Sequence, residues 1–162
     1  MAAAKQALRS LARRIQTLEQ EIEGLRADLD LLTQSVCPGL RQTYGIGIDS
    51  AATLLTAAGD NPERLRSDAG FAALCGVSPL PASSGTTNRH RLNRGGNRQA
   101  NAALRRIAVV RLRWHEQTQA YAARRTEEGL SKPEILRCLK RFIAREVYRI
   151  LLGCPPVRVR TA

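Results

Sequence analysis

Hydrophobic residues recur every three or four positions over residues 2–35. The apolar residues that share this spacing are Leu8, Leu11, Ile15, Leu18, Ile22, Leu25, Leu29 and Leu32. Alternating intervals of three and four residues place Leu or Ile at the a and d positions of four successive heptads. So narrow a stripe is typical of a coiled coil rather than of a helix packed on a domain core. The pattern predicts a coiled-coil helix over residues 1–36, which joins two chains in a homodimer and allows pairs of dimers to form a tetramer.

Charged residues beside this stripe fit a parallel pair of helices. Arg14 and Glu19 fall at successive g and e positions, as do Glu21 and Arg26, so opposite charges would face each other across the pair. The pattern leaves two alternatives open, which are an antiparallel pairing and packing of the helix on its own domain. The unbroken heptads favour self-association.

A glycine-rich turn follows the heptad helix. The CPG sequence at 37–39 ends that helix, because proline and glycine continue a helix only at a cost. Gly45 and Gly47 then precede a helical pattern that begins near Asp49 or Ser50, which is typical of a helix-hairpin-helix. Backbone N–H groups at such a turn could hold a phosphate without reading sequence. The alternative is a plain turn between two helices.

The later hydrophobic pattern predicts three more helices. A short one starts at Asn61-Pro62 and ends near Cys75, and a long one runs from Asn97 through residue 125. Ser131, with Glu134 three residues later, forms a capping-box pattern at the start of the last helix. The predicted buried positions of this helix are Ile135, Leu139, Phe142, Ile143, Val147, Ile150 and Leu151.

These elements predict an all-α protein. The coiled-coil helix is followed by a small helical domain over residues 40–152, with a helix-hairpin-helix and an irregular basic loop from about 76 to 96. Residues 153–162 are predicted to form a disordered tail.

The charge balance indicates a polyanionic partner. Twenty-six Lys and Arg against fourteen Asp and Glu give a net charge of +12 and a pI near 10.9, which is typical of nucleic-acid-binding proteins. An anionic membrane surface is the weaker alternative, since no apolar run is long enough to span a bilayer. Nucleic acid is the leading candidate for this partner, and we expect the protein to be cytoplasmic. The low aromatic content, 4%, disfavours a base-stacking platform.

The cysteines indicate neither a disulfide framework nor a metal site. Cys37, Cys75, Cys138 and Cys154 are widely separated, and with only two histidines, His90 and His115, the chain has no zinc-ligand spacing. We therefore expect reduced thiols, no bound metal and no cofactor in this chain.

Positive charge is concentrated in one acid-free stretch. Residues 69–115 contain no Asp, Glu or Lys, and their arginines are Arg89, Arg91, Arg94, Arg98, Arg105, Arg106, Arg111 and Arg113. Arginine grips phosphate oxygens with two hydrogen bonds, whereas lysine offers a point charge. The stretch therefore predicts a phosphate-binding surface.

Two adjacent serines, Ser83 and Ser84, lie within this stretch and precede Gly85. A Ser-His-Asp arrangement is disfavoured because the stretch has no carboxylate. Attack on a phosphodiester needs cations that stabilise the charge growing on the non-bridging oxygens, and the arginines fit that task. On residue types alone, a Ser-Ser-Gly sequence is more often an ordinary loop.

Several ordered motifs carry a family resemblance. They are GIG and AATLL within 45–55, GDNPERL at 59–65, GVSP at 76–79, SSG at 83–85, NRGGNR at 93–98 and the basic helix EILRCLKRFIAREVYRILL at 134–152. Residues 40–152 thereby resemble the C-terminal transposase domain of the insertion-sequence one-ten, one-sixteen and nine-oh-two family. Members of that family are DEDD/serine transposases guided by a bridge RNA, and the heptad helix resembles their coiled coil.

The resemblance implies roles for individual residues. The serine before glycine attacks DNA and becomes covalently joined to it, which implies Ser84 as the nucleophile, with Ser83 the alternative. Gly45 and Gly47 match the hairpin and would touch the backbone of DNA or guide RNA. The residues that match the turn into the long helix are Gly95, Gly96 and Asn97. Asn97 and Gly85, the glycine of the Ser-Gly pair, are also expected to bind nucleic acid. The arginines assigned to the phosphate by charge are Arg89, Arg91, Arg94, Arg98 and Arg105.

The chain departs from the family in one respect. Family members begin with a RuvC-like domain whose four acidic residues bind Mg²⁺, and this sequence starts at the coiled coil. We therefore expect the chain alone to bind nucleic acid and dimerise without recombining DNA. The alternatives are a non-catalytic, dimeric helix-hairpin-helix protein and a truncated transposase that regulates intact ones.

Overall fold

The computed structural model describes residues 2–59, 65–81, 90, 91, 93 and 95–154. Its helices are α1 (Ala2–Val36), α2 (Pro38–Gln42), α3 (Ile48–Ala58), α4 (Asp68–Leu74), α5 (Arg98–Trp114), α6 (Glu116–Glu127) and α7 (Lys132–Leu152). Two two-residue strands, β1 (Leu80–Pro81) and β2 (His90–Arg91), pair antiparallel. The all-α prediction is confirmed, with this small strand pair as an addition.

Helix α1 is a 35-residue helix, about 50 Å long. Its heptad residues stay exposed in the single chain, each by at least 37%. Within the described ranges, only the C-terminal part of α1 packs on other elements; Thr33 is buried there, and Arg41 Nε donates to Asp30 Oδ1 at 2.9 Å. The helix is confirmed, and its pairing with a second chain stays a prediction.

The core lies where α3, α5 and α7 meet, with α4 packed on α7. Its largest fully buried side chains are Phe71, Leu40, Leu54, Leu104, Ile107 and Val147. Helix α5 contacts both α3 and α7. These contacts bury one face of α5, with Ala100, Ala103, Leu104, Ile107 and Ala108, and the opposite face is exposed.

The prediction of one continuous helix from Asn97 through residue 125 is wrong, because the helix is interrupted at one residue. His115 takes an extended backbone conformation, with φ −107° and ψ 108°, and divides the segment into α5 and α6. Two side-chain hydrogen bonds favour the break: Tyr44 Oη, 70 residues away in sequence, donates to the Trp114 carbonyl at 3.2 Å, and the nearby Gln119 Nε2 donates to the Arg113 carbonyl at 2.9 Å. These donors satisfy carbonyls that a continuous helix would have bonded internally.

Two other helices begin at recognisable N-terminal caps. Helix α4 begins at Asp68, where the Ser67 hydroxyl accepts from the Gly70 N–H at 3.0 Å; the predicted start at Asn61-Pro62 lies outside the described residues. The capping box of α7 is confirmed, since Glu134 Oε2 accepts from the Ser131 N–H at 2.9 Å. The prediction that Phe142 is buried in α7 is wrong, since this side chain is 49% exposed.

The expectation of reduced thiols is wrong for two cysteines. A disulfide joins Cys37 to Cys154 across 117 residues of sequence, with Cα atoms 5.3 Å apart. It ties the end of α1 to the end of α7, so Cys154 belongs to the packed fold, although the sequence predicts a disordered tail from residue 153. Residues 155–162 lie outside the described part.

The free Cys75 thiol is buried. Burial raises its pKa to about 12, which keeps the thiol protonated. Among the described helices, none combines the length and apolarity needed to cross a bilayer.

Candidate nucleic-acid interface

The basic loop predicted over residues 76–96 is named here the Ser/Arg loop. Its two ends are held together by close backbone contact between Gly76 and Gly96. Both take positive φ, +64° and +85°, which favours glycine. A Cβ on Gly96 would lie 2.6 Å from both the Gly76 nitrogen and the Leu74 oxygen, so only glycine fits. The Asn97 N–H donates to the Leu74 carbonyl at 2.6 Å. The two ends of the loop are therefore brought together directly beside the start of α5.

A buried side-chain network supports this contact. Asn101 Nδ2 donates to the carbonyls of Cys75 and Gly76, both at 2.9 Å, and Asn101 Oδ1 accepts from Lys140 Nζ at 3.0 Å. Lys140 is only 7% exposed, and burial, then Arg105 and Arg137, lower its pKa. The network links α4, α5 and α7 at the base of the loop.

Asn97 has a structural role that the sequence pattern did not assign. It is the N-cap of α5, and its Oδ1 accepts from the N–H groups of Gln99 and Ala100 at 2.9 and 3.0 Å. Because that oxygen is engaged, a contact from Asn97 to nucleic acid would use its amide NH₂. Its predicted role at the interface is untested.

Most of the predicted catalytic loop lies outside the described residues. That holds for Ser83, Ser84, Gly85, Arg89 and Arg94. For Arg91 the structure gives the backbone, which pairs with Leu80. The nucleophile and these arginines stay predictions.

The exposed face of α5 carries four arginines, Arg98, Arg105, Arg106 and Arg113, named here the α5 ridge. Arg98 and Arg105, like Arg106 and Arg113, are seven residues apart, which is about two helical turns, so each pair lies on one side of the helix. None of the four forms an ion pair with a carboxylate in the described part of the chain. The ridge is thus a row of available guanidinium groups about 22 Å long.

Other arginines are occupied by carboxylates. Arg111, grouped by sequence with the phosphate-binding residues, donates from Nη1 to Glu146 at 2.6 Å and from Nε to the Tyr44 carbonyl at 2.9 Å. Arg141 and Arg145 both pair with Asp68, at 3.5 and 2.9 Å. Fewer arginines are therefore available to bind phosphate than the number of arginines in the sequence suggests.

The two glycines of the turn before α3 differ in their surroundings. A Cβ on Gly45, whose φ is +81°, would lie 3.3 Å from Arg111 Cγ and 3.6 Å from Ile107 Cγ2. Gly45 therefore permits close packing on α5. Gly47 is the N-cap of α3 and has open space in front of it, while Asp49 in the first turn pairs with Arg26 at 3.1 Å.

The described carboxylates do not fit a Mg²⁺ site. No group of three or more His, Cys, Asp or Glu side chains comes together within the described ranges. Asp30, Asp68 and Glu146 each pair with arginine instead.

The sequence did not indicate the roles of three residues in this region, two in the buried network and one on the surface. Lys140 and Asn101 lie 39 residues apart, and no local pattern indicates that they meet. Trp114 follows the helical spacing of the core in the sequence, yet it is 68% exposed where α5 ends. Its only sequence signal was the pair of arginines just before it, Arg111 and Arg113.

Comparison with known families decides the relationship. Residues 37–123 match a family model described as Transposase IS116/IS110/IS902 family, and they make up more than half of the chain. The chain belongs to this transposase family. No curated protein matches it. The matched segment includes both ends of the loop, Asn101 and the α5 ridge, while Lys140 and the whole of α1 lie outside it.

Proposed function

We propose that this transposase chain binds DNA through the α5 ridge and cleaves and rejoins DNA strands through Ser84. The observation that supports it best is the row of four arginines that have no carboxylate partner among the described residues, which begins where the Ser/Arg loop joins α5. Transposase membership adds the substrate class, since transposition breaks and joins DNA strands.

The chemistry is a transesterification. The Ser84 hydroxyl loses its proton to solvent or a base and its oxygen bonds to phosphorus, while the bond from phosphorus to one deoxyribose oxygen breaks and that oxygen takes up a proton. The phosphodiester is conserved in the enzyme–DNA link, so attack by another strand's hydroxyl rejoins DNA and frees the serine. Nearby guanidinium groups stabilise the negative charge that develops on the non-bridging oxygens.

The assembly in this proposal is a homodimer formed through the heptad residues of α1. Their exposure in the single chain supports such pairing, because burying a row of Leu and Ile stabilises a coiled coil. A bridge RNA is the second proposed partner, and a Mg²⁺-binding acidic domain takes part in strand transfer in this proposal.

A covalent adduct tests the nucleophile. The full chain, the acidic domain of a family member supplied in trans, its guide RNA and end-labelled donor DNA are incubated and denatured. We expect a protein–DNA band that Ser84→Ala abolishes and the matched Ser83→Ala leaves unchanged. An adduct that survives Ser84→Ala, or is lost only in Ser83→Ala, contradicts the assignment.

A non-catalytic role is the second candidate. The α5 ridge and the heptad stripe would by themselves make a dimeric nucleic-acid-binding protein without any serine chemistry. DNA binding by the complemented chain with no adduct under any condition would favour this candidate.

A further inference from the structure

The single tryptophan of this chain lies at the end of the α5 ridge. Trp114 is 68% exposed and directly follows Arg113, the last arginine of the ridge. A large aromatic side chain left in water loses the stabilisation that burial would give it, so such exposure often marks a binding surface.

The backbone around Trp114 explains why its side chain is outside the core. The Trp114 carbonyl accepts from Tyr44 Oη at 3.2 Å and the Arg113 carbonyl accepts from Gln119 Nε2 at 2.9 Å, which ends α5 at this residue. His115 then turns the chain into α6, and its ring lies 5.0 Å from that of Tyr44. The position of the indole thus depends on three separate segments of the fold.

The surroundings of the indole combine apolar surface with positive charge. Tyr44 and Val110 are 48% and 40% exposed, and the Arg113 guanidinium carbon lies 6.0 Å from the indole centroid. We name Tyr44, Val110, Arg113 and Trp114 the aromatic patch. The nearest carboxylate in sequence is Glu116, in the first turn of α6, where it stabilises the helix N-terminus.

We propose that the aromatic patch binds an unpaired base of a nucleic acid, which stacks on Trp114 while Arg106 and Arg113 bind the adjoining phosphates. The inference deepens the proposed function and rests on it, because it assumes that the nucleic acid lies along the α5 ridge. Within a duplex both faces of a base are covered by its neighbours, so an indole can stack only on a base at an end, a bulge or a single strand. The charge of the ridge favours this occupant over a second protein surface.

Intrinsic fluorescence tests the proposal on the unaltered protein, because Trp114 is the only tryptophan. The full chain is titrated with dye-labelled DNA in two forms: a ten-residue oligo-dT, and a duplex closed by a hairpin at each end so that its stem has no free terminal base. Dye anisotropy reports binding and tryptophan emission reports stacking. We expect the single strand to quench the emission about twofold at saturation and the closed duplex to leave it unchanged. A third DNA, the same closed duplex with one bulged base, should again quench the emission.

Variants separate the indole from the rest of the ridge. We expect Trp114→Ala to weaken single-strand binding about tenfold and closed-duplex binding less than twofold, with Trp114→Phe close to the wild type. Phe142→Ala, which removes another half-exposed aromatic side chain, is the matched control and is expected to leave both affinities unchanged. Circular dichroism checks that each variant keeps its helix content.

Each contrary outcome is distinguishable. Tight binding of the single strand without quenching overturns the stacking proposal and leaves the proposed function intact. Emission that changes with protein concentration and not with nucleic acid also overturns it, and shows that a second copy of the chain covers the patch. Failure of both DNA forms to bind the chain overturns the proposed function itself.

Discussion

Lys140 Nζ donates a 3.0 Å hydrogen bond to Asn101 Oδ1 and so connects α7 to the first turns of α5. The Asn101 amide NH₂ bonds in turn to the carbonyls that end α4, Cys75 and Gly76. Since Gly76 and Gly96 are the two ends of the Ser/Arg loop, these bonds fix the distance between the ends. The placement of the loop ends therefore depends on α7, although α7 lies more than thirty residues further along the chain.

Removing the Asn101 side chain is expected to cost more stability than removing the charge of Lys140. Asn101→Ala leaves two carbonyls and a buried ammonium group without their partner and should lower the free energy of unfolding by about 3 kcal/mol. Lys140→Met also removes the cost of burying the cation and should lower it by about 1 kcal/mol. Urea denaturation of both variants, the double variant and the exposed control Gln99→Ala measures these effects. Simple additivity of the two substitutions would contradict the network.

The contact between Gly76 and Gly96 makes Gly96→Ala a severe substitution. Its Cβ would meet three backbone atoms, from residues 73, 74 and 76, at 2.6–2.7 Å, besides the strain of positive φ. We expect a loss of about 3 kcal/mol or more in the free energy of unfolding. Gly129→Ala is the matched control, because Gly129 has the same sign of φ (+86°) and a Cβ built on it would have no described atom within 4 Å. This variant should cost about 1 kcal/mol. Equal losses in the two variants would show that the close contact is absent.

The disulfide predicts a defined pattern of thiol labelling. Under denaturing conditions without reductant, iodoacetamide should modify two cysteines, Cys75 and Cys138, and after reduction it should modify four. Because the bridge closes a loop of more than 100 residues, reduction should lower the free energy of unfolding by about 4–5 kcal/mol. Mass spectrometry counts the labels, and urea denaturation with and without reductant measures the stability. Four labels before reduction would contradict the bridge.

The sequence predicted those structural features that depend on interactions between residues close together in the chain. The heptads of α1 and the capping box at Ser131 depend on residues within a few positions of one another, and the structure has both elements. The all-α class follows from the same helical periodicities. The family was recognised because its motifs occur in a fixed order along the chain.

Contacts between distant residues could not be predicted in this way. Nothing near His115 requires a helix break; Tyr44, 70 residues before Trp114, supplies one of the hydrogen bonds that favours it. The Cys37–Cys154 bridge depends on where the ends of α1 and α7 meet, and their wide spacing had suggested free thiols. Arg111 and Arg113 look alike in sequence, yet only the fold places Glu146 beside Arg111 and leaves Arg113 exposed.

The salt dependence of DNA affinity tests the central role of the α5 ridge most directly. The full chain is measured against a random-sequence duplex over a range of NaCl concentrations, together with the quadruple variant in which Arg98, Arg105, Arg106 and Arg113 are each replaced by Gln. Arg145→Gln, which removes an exposed arginine already paired with Asp68, serves as control. We predict that the quadruple variant reduces the magnitude of the slope of log affinity against log salt by about 3 to 4, because each phosphate contact that is lost removes about 0.9. Arg145→Gln should reduce it by less than about 0.5. An unchanged slope in the quadruple variant would contradict the account.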